Sequence, residues 1–346
     1  MLHRLLRTRE SDFNHLDVAQ WNDLLAESEI CDAFQTYEWA TVLRNSMNVH
    51  PRFLMLEQGS QIKGGVMFFG KRTLGLIDSY EVRGGPLYVK GYKEEVMEGI
   101  LKTLRRKRKN ALNLLFVPFP VINNSFEHIF RNEGYFSYPF RTIIIDLERP
   151  LEIIWKGLNK KARWSVRKAE RLGLKLRTAT TWKEWQQYQS LHRVHGREKQ
   201  YPTDPPEFFQ EVFKLHDKNS ARLFLAEYEN QVVAGSLFLI FGKNMVFLQN
   251  ASKGEFSSHN PNSFLQWKSI EWAKENGVGT YDMNGFPPQQ VPYLRGVYQY
   301  KKQWDGHVQW YYYYLSRRLP YYGIHLIRTS NYAWKLFLQA RNLKAA

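Results

Sequence analysis

Tyr281-Asp282-Met283-Asn284-Gly285-Phe286, followed after a loop by Gly296-Val297-Tyr298-Gln299-Tyr300-Lys301-Lys302-Gln303-Trp304-Asp305-Gly306, is the stretch on which the reading of this chain turns. It reads as a short strand entering a glycine turn, then a lysine pair set among aromatic residues, then a second turn. Lysines flanked by tyrosine and tryptophan can be held at a substrate with little freedom, where a cation stabilises a forming anion. Taken alone, the spacing favours a surface strand with ordinary solvated lysines. The rest of the chain shifts that balance.

At 346 residues the chain is long for one core, and two domains of about 150 residues are the default. It is 43% hydrophobic and 15% aromatic, the composition of a folded protein. Its one cysteine, Cys31, excludes an internal disulfide and any multi-cysteine metal site, and reads as a small buried apolar residue. Met1 to Glu10 carries arginines without an apolar core, so no signal peptide is read there. No window reaches the roughly 18 apolar residues of a bilayer span. The expectation is a soluble, cytoplasmic monomer.

The formal net charge of +16 predicts phosphate-bearing partners: nucleic acid, nucleotide or lipid headgroup. The charge is clustered. Lys102 to Lys109 has six basic residues and no acid, Trp155 to Leu176 has eight against Glu170 alone, and Arg317 to Ala346 has six and no acid. Three such runs point to an anionic macromolecule or surface, with peripheral membrane contact among the expectations.

Periodicity predicts helices over Leu16–Ser28 and Tyr37–Met47, then strands over Arg52–Glu57, Ile62–Phe69 and Leu76–Val82. A helix at Glu94–Lys107, a strand at Leu112–Val117, a helix at Ser125–Asn132 and a strand at Thr142–Leu147 complete the first half. Glu148-Arg149-Pro150 is the expected boundary. The second half has helices at Leu151–Leu158, Asn159–Leu172, Thr181–His195 and Pro206–Asp217, with a strand at Leu174–Ala179. A meander over Arg222–Glu229, Gln231–Phe241 and Asn244–Asn250 follows, then a helix at Asn262–Glu275 and a strand at Gly279–Met283. Both halves thus read as antiparallel strands, helix, strand, helix, strand: an α+β duplication with domains 1–150 and 151–318. The remainder, 319–346, carries a helix expected to return to the first domain, with a membrane-surface helix as the alternative.

In the helix Lys160 to Arg171, Ala162, Val166 and Ala169 make a thin apolar stripe, and Lys160, Arg163, Arg167 and Arg171 lie along another face. Like charges at that spacing repel, so the face suggests an anionic ligand or a solvated helix. Arg197 and Tyr201, four apart, could present a phosphate clamp and a hydroxyl to a cleft, or serve the helix end. Asn262 or Ser263 reads as an N-cap. Arg83-Gly84-Gly85-Pro86 would let backbone approach a ligand, or is simply a turn. There is no G-x-G-x-x-G, no G-x-x-x-x-G-K-[ST], no G-x-S-x-G and no H-x-x-x-H. Chemistry, where present, relies on positioning and charge, without metal or cofactor.

Taken in order, these stretches resemble the FemABX family of peptidoglycan aminoacyltransferases. Gln35-Thr36-Tyr37-Glu38-Trp39 is similar to its "Q-S-x-x-W" segment, and Arg83 to Pro86 to its "R-G-P" loop. Lys161 to Gly173 is similar to "R-x-x-I-R-K-A-x-x-x-G", Tyr281 to Gly285 to "Y-D-x-x-G", and Tyr300 to Trp304 to "F-K-x-x-F". The resemblance implies two tandem GNAT-like (acyl-CoA N-acyltransferase) domains, in a short form without a coiled-coil arm. It implies transfer of an amino acid from aminoacyl-tRNA to a nucleotide- or lipid-linked cell-wall precursor. Lys301 is then the catalytic cation, and Arg44, Arg197, Tyr201, Tyr300 and Asn262 are the substrate-binding candidates. Lys302, Arg163, Arg167 and Arg171 are the tRNA-binding ones. Asp305 stands where the family has glycine, and Tyr88 rather than an acid follows the "R-G-P" loop. The alternatives are an acyl-CoA-dependent N-acyltransferase, and an RNA- or membrane-binding protein without enzymatic activity.

Overall fold

The computed structural model describes residues 6–30, 32–73, 77–108, 111, 114–120, 126–199, 203–285 and 295–316. The chain forms two compact units, one holding the residues up to Pro139 and those from Tyr311, the other Phe140–Trp310. Cys31, Tyr201 and the expected C-terminal helix lie outside the described residues.

In the first unit β2 (His50–Gln58), β3 (Gln61–Thr73) and β4 (Ile77–Arg83) form an antiparallel meander. An edge strand β1 (Arg7–Asp12) precedes it, and α1 (Val18–Glu27) and α2 (Tyr37–Met47) lie between β1 and β2. Thr36 caps α2 by accepting from Trp39 N, and Asn48 ends it in the left-handed region at φ 52. The two-residue β5 (Leu87–Tyr88) pairs with β3. Then α3 (Lys93–Arg108) leads to β6 (Leu114–Val117), parallel to β4, and to α4 (Glu127–Asn132). Val96, Ile100 and Leu104 of α3, spaced four apart along one helix face, bury against Leu54, Val66, Phe68, Val82 and Phe116.

The second unit draws its first strand from β7 (Phe136–Asp146), followed by α5 (Leu151–Gly157), α6 (Lys160–Arg171) and β8 (Lys175–Thr178). Next come α7 (Trp182–Glu198), α8 (Pro206–His216), β9 (Ala221–Tyr228), β10 (Gln231–Phe241), β11 (Asn244–Ser252), α9 (Pro261–Glu275) and β12 (Thr280–Asp282). A short helix, α10 (Arg295–Lys301), and β13 (His307–Leu315) close the described chain. On one side of the sheet Ile154, Val166, Phe264, Trp267 and Ile270 pack on Phe224, Phe238 and Tyr281. On the other, a Cβ at Gly235 of β10 would come within 2.5 Å of the Tyr188 ring on α7, so only glycine lets that helix sit so close. A capping box between Thr181 and Glu184 starts α7, and Gly173 at φ 86 ends α6.

The division falls at Pro139/Phe140 rather than after Pro150 because Ile144–Asp146 pairs antiparallel with β12 in the second unit. Correspondingly, Tyr314 and Leu315 pair with β6 in the first. Each unit runs meander, helix, parallel strand, and is completed by a strand from the other half of the sequence. The lysine pair sits at the C-terminus of α10 and in the turn after it, correcting the surface-strand reading. Tyr298 and Tyr300 pack that helix onto the second core, and this burial overrides the strand preference of Val and Tyr.

Asp305 adopts the left-handed conformation, φ 56, in which glycine is favoured. Its carboxylate accepts from Arg149 Nη1 at 3.0 Å, and its carbonyl from Arg149 Nη2 at 3.2 Å. The carboxylate occupies the space in which a Gly157 Cβ would stand, 2.1 Å from Asp305 Cγ. Gly157→Ala is therefore expected to cost about 1–3 kcal/mol in urea denaturation. Asp305→Gly in the same chain should recover most of that loss; additive losses would show that the two positions do not compete for space.

Candidate active site

Tyr281-Asp282-Met283-Asn284-Gly285 builds a turn around one carboxylate. Asp282 is buried, takes a short hydrogen bond from Thr142 Oγ1, and accepts from Asn284 N at 2.7 Å. That geometry holds Asn284 at φ 65, and its Nδ2 donates to Phe247 O at 3.0 Å. The site forms where β11 and β12 part. Their parallel pairing ends at Val246 and Asp282, and β11 runs on to Ser252 paired with β10 on its other edge. At this point Lys301 Nζ donates to the Asn284 carbonyl at 2.9 Å.

Lys301 is only 7% exposed. Burial pushes its pKa down to about 8, and the Asp282 charge partly opposes that fall. An ammonium in such a place stays protonated at neutral pH but is weakly solvated, the condition in which it best stabilises a developing oxyanion. Burial also raises the phenol of Tyr300 far above its ordinary value, keeping it a neutral donor. Its hydroxyl donates to Asn262 O at 3.0 Å. Asn262 Nδ2 donates in turn to Ser252 Oγ at 3.2 Å, and its Oδ1 is buried without a hydrogen-bond partner. The N-cap expected of Asn262 or Ser263 is corrected: α9 starts at Pro261 behind a left-handed Asn260, so the Asn262 side chain serves the site instead.

His195 of α7 closes this chain of contacts, with Nδ1 2.8 Å from Ser252 O. A carbonyl can only accept, so Nδ1 carries the proton and Nε2 presents a lone pair. Burial lowers its pKa, so the ring is neutral at physiological pH and able to take a proton. Behind it, burial lowers His192 to about 4, with His195 contributing. Sequence reasoning passed over His195, Ser252, Asp282 and Asn284 as site residues, though three of them lie inside segments it had singled out. It also passed over Arg141, a buried guanidinium whose Cζ lies 4.1 Å from the Tyr298 ring centre and 5.2 Å from that of Trp310. Only the lone arginine in the β-branched run of β7 could have flagged it.

The structure thus brings together Lys301, Tyr300 and Asn262. Lys302 is exposed, with Nζ 6.0 Å from the Tyr298 ring centre. Arg197 is exposed on the last turn of α7. Arg44 lies in the first unit, exposed on α2 with its guanidinium over Phe13 at 4.5 Å. On α6, Arg163 turns back to brace α5, donating to Lys156 O at 2.7 Å and to Leu158 O. Arg167 lies over Trp155 at 5.5 Å, and Arg171 lines the same open hollow as Lys160 and Arg167. Among the described residues no cluster of metal-ligating side chains occurs, and no helix is long and apolar enough to cross a membrane.

Residues 157–302 match the acetyltransferase (GNAT) domain family. The fold is of the Fem type, built from tandem GNAT-like domains. FemX superposes with a TM-score of 0.70 at 14% identity, over 88% of this chain and 96% of its own. L-PGS from Bacillus licheniformis gives 0.63 at 12% identity, over 91% of this chain and 97% of its own. A tandem GNAT protein from the clavulanic acid biosynthesis pathway gives 0.54 at 12% identity, over 91% of this chain and all of its own (100%). In sequence, the Staphylococcus aureus lipid II:glycine glycyltransferase is 31% identical over 82 residues, 23% of this chain. The chain spans about a fifth of the length of that curated relative (20%).

The buried lysine makes a pH prediction. With a folded pKa of about 8 against an ordinary 10.5, the unfolded chain binds more protons across that window. Stability attributable to Lys301 should therefore rise with pH, by up to about 1.4 kcal/mol per unit between these values. Urea denaturation of wild type and Lys301→Met at pH 7 and 9.5 reads the difference. An unchanged gap would mean that the ammonium is solvated.

Proposed function

We propose that this protein is an aminoacyltransferase that moves an amino acid from aminoacyl-tRNA to an amine of a peptidoglycan-type precursor peptide. The supporting observation is the buried Lys301 ammonium held at the Asn284 carbonyl, beside Tyr300 and Asn262, where β11 and β12 part. The name of one similar protein, lipid II:glycine glycyltransferase, is that of a glycyl transfer, and this supports the same chemistry here.

An aminoacyl ester is already activated. The acceptor amine attacks the ester carbonyl, a C–N bond forms, the C–O bond breaks, and the tRNA hydroxyl leaves with a proton. What the protein must supply is alignment and a charge for the tetrahedral oxyanion. Lys301 is the group assigned to that charge. Lys302, Arg167 and Arg171 are assigned to tRNA phosphates, and Arg163 to the same face through its bracing of α5. Arg44, Arg197 and Tyr201 are assigned to the precursor's phosphates, lipid-linked or nucleotide-linked. No cofactor enters beyond the tRNA co-substrate.

A CoA thioester donor is the competing reading, and the β11–α9 connection argues against it. A pyrophosphate held there wants consecutive backbone N–H groups at the start of α9. Pro261 occupies the first position without one, and Asn260 before it is left-handed with no side-chain cap. Incubation with charged tRNA pools and candidate amine acceptors, read by product mass, tests the proposal. Lys301→Ala is expected to lower turnover by about 10²–10³ with an unchanged circular dichroism spectrum. Wild-type turnover in that variant would remove Lys301 from the mechanism. A product formed only from CoA thioesters would overturn the tRNA donor.

A further inference from the structure

Trp164 stands in the middle of α6 and is 53% exposed, more than any other large apolar side chain among the described residues. Its neighbours on the helix surface, three and four residues away, are Lys160, Lys161, Arg167 and Lys168. Every one is cationic. Lys168 Nζ lies 5.1 Å from the indole centre, and Lys160, Arg163, Trp164, Arg167, Glu170 and Arg171 line one open hollow of about 660 Å³. The acid there, Glu170, is engaged by Lys268 at 3.0 Å. Ala162, Ser165, Val166 and Ala169 hold the opposite side of the helix in the core, so the indole is not a core residue displaced outward.

An exposed indole is costly, and four cations packed around it repel one another. Both costs vanish against a ligand that offers flat aromatic faces between regularly spaced anions. Single-stranded RNA has that chemistry: bases stack on aromatic side chains while Lys and Arg follow the phosphates. A bilayer would accept one indole, but the positions beside Trp164 that would insert with it are all charged. The hollow also adjoins the candidate site. Asn159 N, at the start of α6, donates to Gln303 O at 3.0 Å, two residues beyond Lys301. Trp164 lies roughly 7 Å further along the helix axis.

We propose that Trp164 is the stacking platform for an unpaired base of a single-stranded RNA segment, with Lys160, Lys161, Arg167 and Lys168 on its phosphates. Resting on the function proposed above, that segment is the unpaired acceptor end of the tRNA donor, led from Lys301 onto α6.

Fluorescence anisotropy of the full chain with a labelled eight-nucleotide single-stranded RNA, and with a blunt RNA duplex, tests this. Trp164→Ala should weaken single-strand binding about ten- to hundredfold. The salt slope should be unchanged, and duplex binding should change little. Trp164→Phe should keep most of the affinity, which separates stacking from misfolding. Lys160→Ala with Lys168→Ala should instead flatten the salt slope by about 1.4. Equal single-strand affinity in wild type and Trp164→Ala overturns the platform. So does a loss confined to phosphatidylglycerol vesicles, which would make the face a membrane contact. Wild-type transfer from charged tRNA with undiminished RNA affinity in Trp164→Ala would remove the platform and leave the donor. Trp164-dependent RNA binding without any transfer would remove the donor and leave the platform.

Discussion

A buried ammonium is tolerated only where the fold compensates it, and the second unit is arranged around that requirement. Asp282 supplies charge, Asn284 supplies a carbonyl, and the left-handed turn between them aims that carbonyl at Lys301. The turn has its own anchors: Thr142 on β7 fixes Asp282, and Phe247 on β11 fixes Asn284. Lys301 is therefore placed by one helix end and by a turn anchored on three strands. The compensation is incomplete: burial still draws the ammonium's pKa down toward neutrality despite the Asp282 charge.

The same logic accounts for strand exchange between the halves of the sequence. Thr142 reaches Asp282 only because β7, encoded in the first half, is a strand of the second unit next to β12. Without the pairing of β7 with β12, Asp282 would lose its short hydrogen bond and the Asn284 turn its anchor. Topology and chemistry are coupled at one residue pair.

Much of this was legible in sequence wherever a segment carries its own apolar pattern. Tyr37–Met47 and Gln231–Phe241 form as predicted, residue for residue: the first has one apolar helix face, and the second is a continuous apolar run buried on both faces of the strand. β1 was not legible: Arg7–Asp12 has no apolar alternation, and ion pairs such as Arg9 with Glu57 and Lys107 with Glu10 support it. Nor was α10, whose Val and Tyr residues prefer strands; its helix exists because tertiary burial of two tyrosines outweighs that preference. Of the candidate site, Lys301, Tyr300 and Asn262 were visible because their residue types stand in unusual company. Ser252 and Asn284 act through position, one by its place at a strand end and the other by a backbone carbonyl, and neither property is written in residue type.

Asp305 brings these threads to one point. It is a departure from the resembled pattern, an aspartate where that pattern has glycine. In the fold the departure is compensated twice. Gly157 vacates the volume that the carboxylate fills, and Arg149 neutralises it. Arg149 lies just before α5, Gly157 is its last residue, and Arg163 of α6 braces the end of that helix. The turn after Lys301 is thus tied through α5 to the helix that carries Trp164. A backbone hydrogen bond from Asn159 to Gln303 ties the same two elements directly. The lysine and the indole consequently belong to one rigid corner of the second unit. A ligand spanning both would meet a surface whose spacing is set before it arrives, and preorganisation of that kind is where binding energy turns into alignment.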